Sequence, residues 1–177
     1  LPAEPLARLL ARPQGLILFA GPAGSGKTTV MCAVIRQLNS VTRKGVIVMD
    51  EDLRHPGIEL ARPSPSAEEA VRALARYDTD LIAIGEVRTC GEVAAALDAA
   101  STGRRVLACI HADDTPGTLD RIAALGVPPL DVAGGLAGVI ASRLVRRVCA
   151  ECKQPHAPGA EHLSALGITP EESAGAA

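Results

Sequence analysis

Residues 21 to 28 read Gly-Pro-Ala-Gly-Ser-Gly-Lys-Thr, a complete G-x-x-x-x-G-K-T. Each position has a chemical use. Gly21, Gly24 and Gly26 let the backbone adopt conformations barred to residues with a Cβ, so that its N–H groups can wrap a phosphate. Lys27 reaches toward the β- and γ-phosphates, and the Thr28 hydroxyl is suited to Mg²⁺. Pro22, Ala23, Ser25 and Thr29 complete the stretch that faces the nucleotide. The chain has three lysines against fifteen arginines, so Lys27 is not one of a lysine-rich surface.

Further acids and one histidine follow apolar runs. Asp80-Leu-Ile-Ala-Ile-Gly-Glu86 ends a strand-like segment in a carboxylate, a candidate to hold Mg²⁺ or polarise the attacking water. Asp50 and Glu51 close Val46-Ile-Val-Met, and either one is a candidate to orient that water. His111 follows Val106-Leu-Ala-Cys-Ile and is placed to hydrogen-bond a γ-phosphate, or to be an ordinary polar strand end. Arg72 and Arg76 lie four apart on one helix face. They read either as solvated partners of Glu68 and Glu69 or as guanidinium groups for a transferring phosphate. Cys149-x-x-Cys152 has zinc-ligand spacing but supplies only two of four ligands, with His156 and His162 as the remaining candidates.

These groups need a scaffold that gathers them. Gly15–Ala20 reads as a buried strand and Thr29–Leu38 as a helix, the context the phosphate loop requires. Leu6, Leu9 and Leu10 mark a preceding helix ended by Pro13. Strands are expected at 46–50, 81–84 and 106–110, and helices at 66–77, 91–100, 115–125 and 130–147. Ser66 and Glu69 have the spacing of a capping box. Glu51–Pro65, with three prolines, reads as loop. Strands alternating with helices predict an α/β fold with a mainly parallel sheet covered on both faces, and a helical C-terminal part. Ligands in such folds sit at the carboxyl ends of the strands, where the phosphate loop, Asp50 and Glu51, Glu86 and His111 all fall.

Composition sets outer bounds. The 177 residues are 47% hydrophobic with one Phe, one Tyr and no Trp, so the core is aliphatic. A net charge of −2 gives no field toward nucleic acid. No apolar run approaches the roughly 18–20 residues of a membrane span. Five scattered cysteines fit a reducing compartment rather than a disulfide framework. The first residue is Leu, the expectation for a piece of a longer protein with an N-terminal domain outside this chain.

From about Leu6 to Gly167 the chain resembles the ATPase core of the type II secretion and type IV pilus assembly family, the hexameric secretion ATPases. The motifs stand in family order. Val48-Met-Asp-Glu-Asp52 with Pro56-Gly-Ile58 resembles the aspartate box, and Asp80 to Arg88 the Walker B signature. Ser101-Thr-Gly-Arg and Val106 to Asp114 resemble the histidine box; Ser142 to Cys152 resembles the closing helix and first cysteine pair. The resemblance implies a RecA-like P-loop core over 1–148 and a tail over 149–177. It implies Mg-dependent ATP hydrolysis with Lys27 and Thr28 on phosphate and metal, Asp50 activating water and Glu86 serving metal or water. His111 would lie near the γ-phosphate, with Arg72 and Arg76 approaching the phosphates on closure. It also implies a homohexamer, inner-membrane platform proteins as partners, and a cytoplasmic place at the bacterial inner membrane. The family's acid order of Glu, Asp, Pro is here Asp50, Glu51, Asp52. That departure motivates an alternative, a nucleotide-binding assembly subunit that hydrolyses weakly or not at all.

Overall fold

The computed structural model describes residues 3–38, 45–48, 58–61, 66–154, 159–165 and 167–169. The chain divides into two compact units, Leu1–Leu144 and Val145–Ala177. Among the described residues the first holds six strands: β1 (Gly15–Ala20), β2 (Gly45–Val48), β3 (Ile58–Ala61), β4 (Leu81–Ile84), β5 (Arg105–Ile110) and β6 (Leu136–Ala141). They form one sheet in the order β3-β2-β4-β5-β1-β6, with every pair parallel. Its helices are α1 (Ala3–Ala11), α2 (Lys27–Leu38), α3 (Ala67–Leu74), α4 (Cys90–Ser101), α5 (Thr115–Ala124) and α6 (Pro129–Gly135). The second unit contributes the short α7 (Ala160–Ala165).

The period of two along each strand sorts the core into two layers. Leu16, Leu18, Ile82, Ile84, Val106, Ala108 and Ile110 point to one face, where they meet Val71 of α3, Val93 and Ala96 of α4, and Ile122 of α5. Ile17, Phe19, Leu81, Ala83, Leu107 and Cys109 point to the other, against Leu10 of α1 and Met31, Val34 and Ile35 of α2. Strands buried on both faces are the near-continuous apolar runs that a helix-covered parallel sheet requires. Among the helices, α4 carries Ala95, Ala96, Ala99 and Ala100 buried, so it lies close against the sheet without aromatic filler.

Caps fix where the helices begin. Ser66 Oγ accepts the Glu69 N–H at 3.2 Å at the start of α3. Thr89 and Glu92 form a reciprocal capping box on α4. Asp114 Oδ1 accepts the Gly117 N–H at 2.7 Å at α5. Each such cap contributes about 1 kcal/mol.

Two expectations are corrected. The helix expected over 130–147 is α6 followed by the strand β6, after which 142–149 has no regular structure. Gly134 and Gly135 weaken a helix at that point. Gly135 also lies so close to Leu97 that a Cβ would come within 2.9 Å of its side chain. The branched Val139 and Ile140 then pair with Leu18 and Phe19 of β1. The expected loop over 51–65 contains β3, paired with β2 from Gly45↔Ile58 to Val48↔Ala61. Asp50, Glu51 and Asp52 lie outside the described residues, as does His156.

Candidate functional site

Because the sheet is parallel, its carboxyl ends share one edge. Ala20 of β1 pairs with Ile110 of β5 and Ala141 of β6, and Ala108 of β5 pairs with Ile84 of β4. Gly21, His111 and Ser142 therefore each leave their strand at the same level. Glu86 follows two residues beyond β4, and Val87 N–H donates to the Cys109 carbonyl at 2.9 Å, which carries the Glu86 segment alongside β5. One strand, β5, stands between the phosphate-loop strand and the strand that delivers Glu86.

The phosphate loop is tight. Gly24 and Gly26 have φ of 72° and 87°, the left-handed region that favours glycine. Gly21 has no room for a side chain: a Cβ would collide with Ser25 Oγ and sit 2.6 Å from the Ser142 carbonyl. Lys27 is the first residue of α2 and is 9% exposed. Its Nζ donates to the Gly21 and Pro22 carbonyls, both at 2.8 Å. The ammonium is thus folded onto its own loop, at the N-terminus of a helix whose dipole favours an anion. Thr28 is half-buried and Thr29 exposed. Ser25 Oγ is buried without a hydrogen-bond partner among the described residues.

Glu86 and His111 come together. His111 Nε2 lies 2.8 Å from Glu86 Oε1, and Arg88 Nη2 donates to Glu86 Oε2 at 2.7 Å. Both carboxylate oxygens are therefore engaged. The hydrogen bond and charge of Glu86 raise the Arg88 guanidinium above its ordinary pKa, so Arg88 is a permanent cation. The sequence reading passed over Arg88, although its spacing of two from Glu86 puts both side chains on one side of an extended segment.

The arginines are not gathered in. Arg72 Nη2 pairs with Glu68 Oε1 at 3.0 Å, an exposed contact one helical turn apart, and Arg76 is exposed. Cys149 and Cys152 are exposed, and no group of three or more metal-ligating side chains occurs among the described residues. No described helix is long and apolar enough to cross a membrane.

A parallel sheet covered on both faces, with this loop at the end of β1 and an acid-bearing strand one place beyond β5, defines a RecA-like P-loop nucleotide-binding fold. Residues 3–175 match the family described as "Type II/IV secretion system protein", and the chain belongs to that family. It is 33% identical over 178 residues to the type IV pilus assembly ATPase PilB of Thermus thermophilus, covering 98% of this chain and 20% of that protein. It is 34% identical over 168 residues to type II secretion system protein E of Dickeya dadantii, covering 92% and 34%. Among solved structures, the pilus retraction motor PilT with bound ADP superposes with a TM-score of 0.71 at 30% identity, over 82% of this chain and 46% of that one. The chain spans between a fifth and about a third of the length of these two curated relatives.

Proposed function

We propose that the protein to which this chain belongs is a Mg-dependent ATPase that drives a type II secretion or type IV pilus machine. The observation that carries the reading is one sheet edge bearing Gly21–Thr28, with Lys27 at the first residue of α2, and the joined Glu86 and His111. Residues 1–148 form the catalytic core in this reading and 149–177 a separate tail. The relatives' names supply the machine; PilT's bound ADP supports a purine nucleoside phosphate as the ligand.

In this mechanism Lys27 turns from the Gly21 and Pro22 carbonyls to the phosphates, and the loop N–H groups hold the β-phosphate. Thr28 and Glu86 would hold Mg²⁺; a hydroxyl and a carboxylate are the hard oxygen donors this ion takes. When bound, Mg²⁺ neutralises charge on the phosphate oxygens. Asp50 or Glu51 accepts a proton from water as its oxygen attacks the γ-phosphorus, and the bond to the β-phosphate oxygen breaks to release ADP. His111 lies by the γ-phosphate, with Arg88 anchoring Glu86 from the far side. Arg72 and Arg76 lend charge as the domains close, for which Arg72 must leave Glu68. The protein works as a homohexamer at the cytoplasmic side of the inner membrane, with platform proteins of the machine as partners and no nucleic acid.

The test uses the full-length protein. Lys27→Ala should abolish both nucleotide binding and phosphate release. Glu86→Gln should keep binding and lower phosphate release by about 10²-fold or more. Unchanged binding and turnover in Lys27→Ala would refute the assignment. Tight binding without release in the wild type, with partner proteins present, would favour the non-hydrolysing assembly subunit.

A further inference from the structure

The chain leaving β6 crosses the phosphate loop. Ser142 N–H donates to the Ala20 carbonyl at 2.9 Å, and the Ser142 carbonyl abuts Gly21. Leu144 lies over the other end of the loop, 3.6 Å from the place a Cβ on Gly26 would take. Arg143, between them, reaches the opposite way. Its Nη2 donates to the Asp113 carbonyl at 3.2 Å and lies 3.8 Å from Asp113 Oδ1. Asp113 is two residues past His111, and the next residue, Asp114, caps α5. Three consecutive residues therefore touch both ends of the phosphate loop and the segment that carries His111.

We propose that Ser142–Leu144 is a strap and Arg143 a positioning residue that sets His111 against the phosphate loop. Filling of the loop is thereby passed to the Glu86–His111 contact. The inference rests on the nucleotide-site reading above. Arg143 is 64% exposed and the Asp113 carboxylate more so, which makes their charge attraction small. What the guanidinium fixes is the Asp113 main chain, through the carbonyl. Two hydroxyls, Ser25 Oγ on the loop and Ser142 Oγ on the strap, are buried without partners among the described residues. Buried polar groups are ordinarily hydrogen-bonded, so an unsatisfied pair on these two elements marks a place where a rearrangement of the loop can be favourable.

The strap is tested by amide hydrogen exchange on the full-length protein, with and without Mg-ADP. In the wild type, ADP should slow exchange over both 20–28 and 111–114. In Arg143→Ala, protection over 20–28 and the ADP affinity should stay within about twofold. Protection gained over 111–114 should fall about two- to fivefold, the scale of one exposed charged contact. Arg143→Lys keeps a donor for the carbonyl and should recover part of it. Asp113→Asn keeps the carbonyl itself and should lose less than Arg143→Ala. Undiminished protection over 111–114 in Arg143→Ala would overturn the proposal. So would a joint loss over both segments with weakened ADP binding, which is what a merely structural role produces. Failure of ADP to protect 20–28 in the unmutated protein would instead sink the nucleotide-site reading, and the strap with it.

Discussion

The phosphate loop and the Cys149–Cys152 turn are both short motifs with ligand-binding spacing, and the structure completes them to different degrees. The loop is met by groups from distant sequence: β1 feeds it, α2 leaves it, Ser142 and Leu144 cover it, and Lys27 is buried within it. Among the described residues the contacts of the cysteine turn are local. Lys153 N–H donates to the Cys149 carbonyl at 3.2 Å, backbone N–H groups of Cys152 and Glu151 point at the Cys149 sulfur, and both thiols face solvent. A spacing motif sets up half of a site. The other half comes from the fold, which gathers residues 21, 86, 111 and 142 for the loop.

If that contrast is right, the loop should tolerate almost no added volume at its covered end. Gly21→Ala forces a methyl group against Ser25 Oγ and the Ser142 carbonyl, and the second of these is backbone that cannot swing away. We expect a loss of about 1–3 kcal/mol of stability, typical of overpacking, together with loss of nucleotide binding. Gly24→Ala is the control within the same loop. A Cβ there meets nothing within 4 Å, and only the positive φ of 72° opposes it. Its cost should be near 1 kcal/mol. Thermal unfolding and nucleotide titration of the two variants decide the matter; equal effects would show that the cover contributes nothing.

The opposite edge of the sheet should affect stability and leave the site alone. Arg105 opens β5 at 5% exposure, and its Nη2 donates to the Leu10 carbonyl at 3.1 Å and also to the Arg12 carbonyl. These are carbonyls at the end of α1, where a helix has no partners of its own. Arg105→Leu leaves them unpaired and should cost about 1.5–3 kcal/mol. Nucleotide affinity should stay within about twofold, because β5 carries His111 at its other end. A large fall in affinity with a small fall in melting temperature would contradict this division of labour.

The sequence was most legible where one local signal sufficed. Gly15–Ala20, Leu81–Ile84 and the helix after Lys27 are continuous apolar or periodic runs, and each lies within two residues of its expected place. The convergence of Glu86 and His111 was legible too, since parallel strands must present their ends at one edge. What failed depended on partners far away in sequence. Leu136–Ala141 carries helix formers and small residues, and becomes a strand because the edge of β1 is available to pair with it. Arg143 on Asp113 spans thirty residues with no local sign. Arg105, an arginine inside a core strand, gave no hint of its carbonyl partners in α1. Thr89 and Glu92, by contrast, have the capping-box spacing in plain view, and that box went unread.

The smallest expected effect lies at the cysteine turn. The N–H groups of Cys152 and then Glu151, with the Cys152 thiol, lower the Cys149 pKa below the ordinary thiol value, against a weak opposing effect of burial. The thiolate is thus favoured in the folded chain. Any stability this lends is present above the unfolded pKa, about 8.5, and is lost as pH falls through the folded one. At pH 7 iodoacetamide should label Cys149 faster in the folded than in the urea-unfolded protein. The gain is partial, because nucleophilicity falls with pKa, and above about pH 8.5, where both thiols are ionised, the order of the two rates should reverse. Buried Cys109 should stay unlabelled until the protein unfolds. Cys149→Ser should leave the melting temperature essentially unchanged, as at other exposed positions. Mass spectrometry of the labelled peptides reads all the rates at once. If labelling of Cys149 in the full-length protein is slow and a chelator accelerates it, a metal holds the sulfur there. The second motif would then be a completed site like the first, with its missing ligands supplied from beyond the described residues.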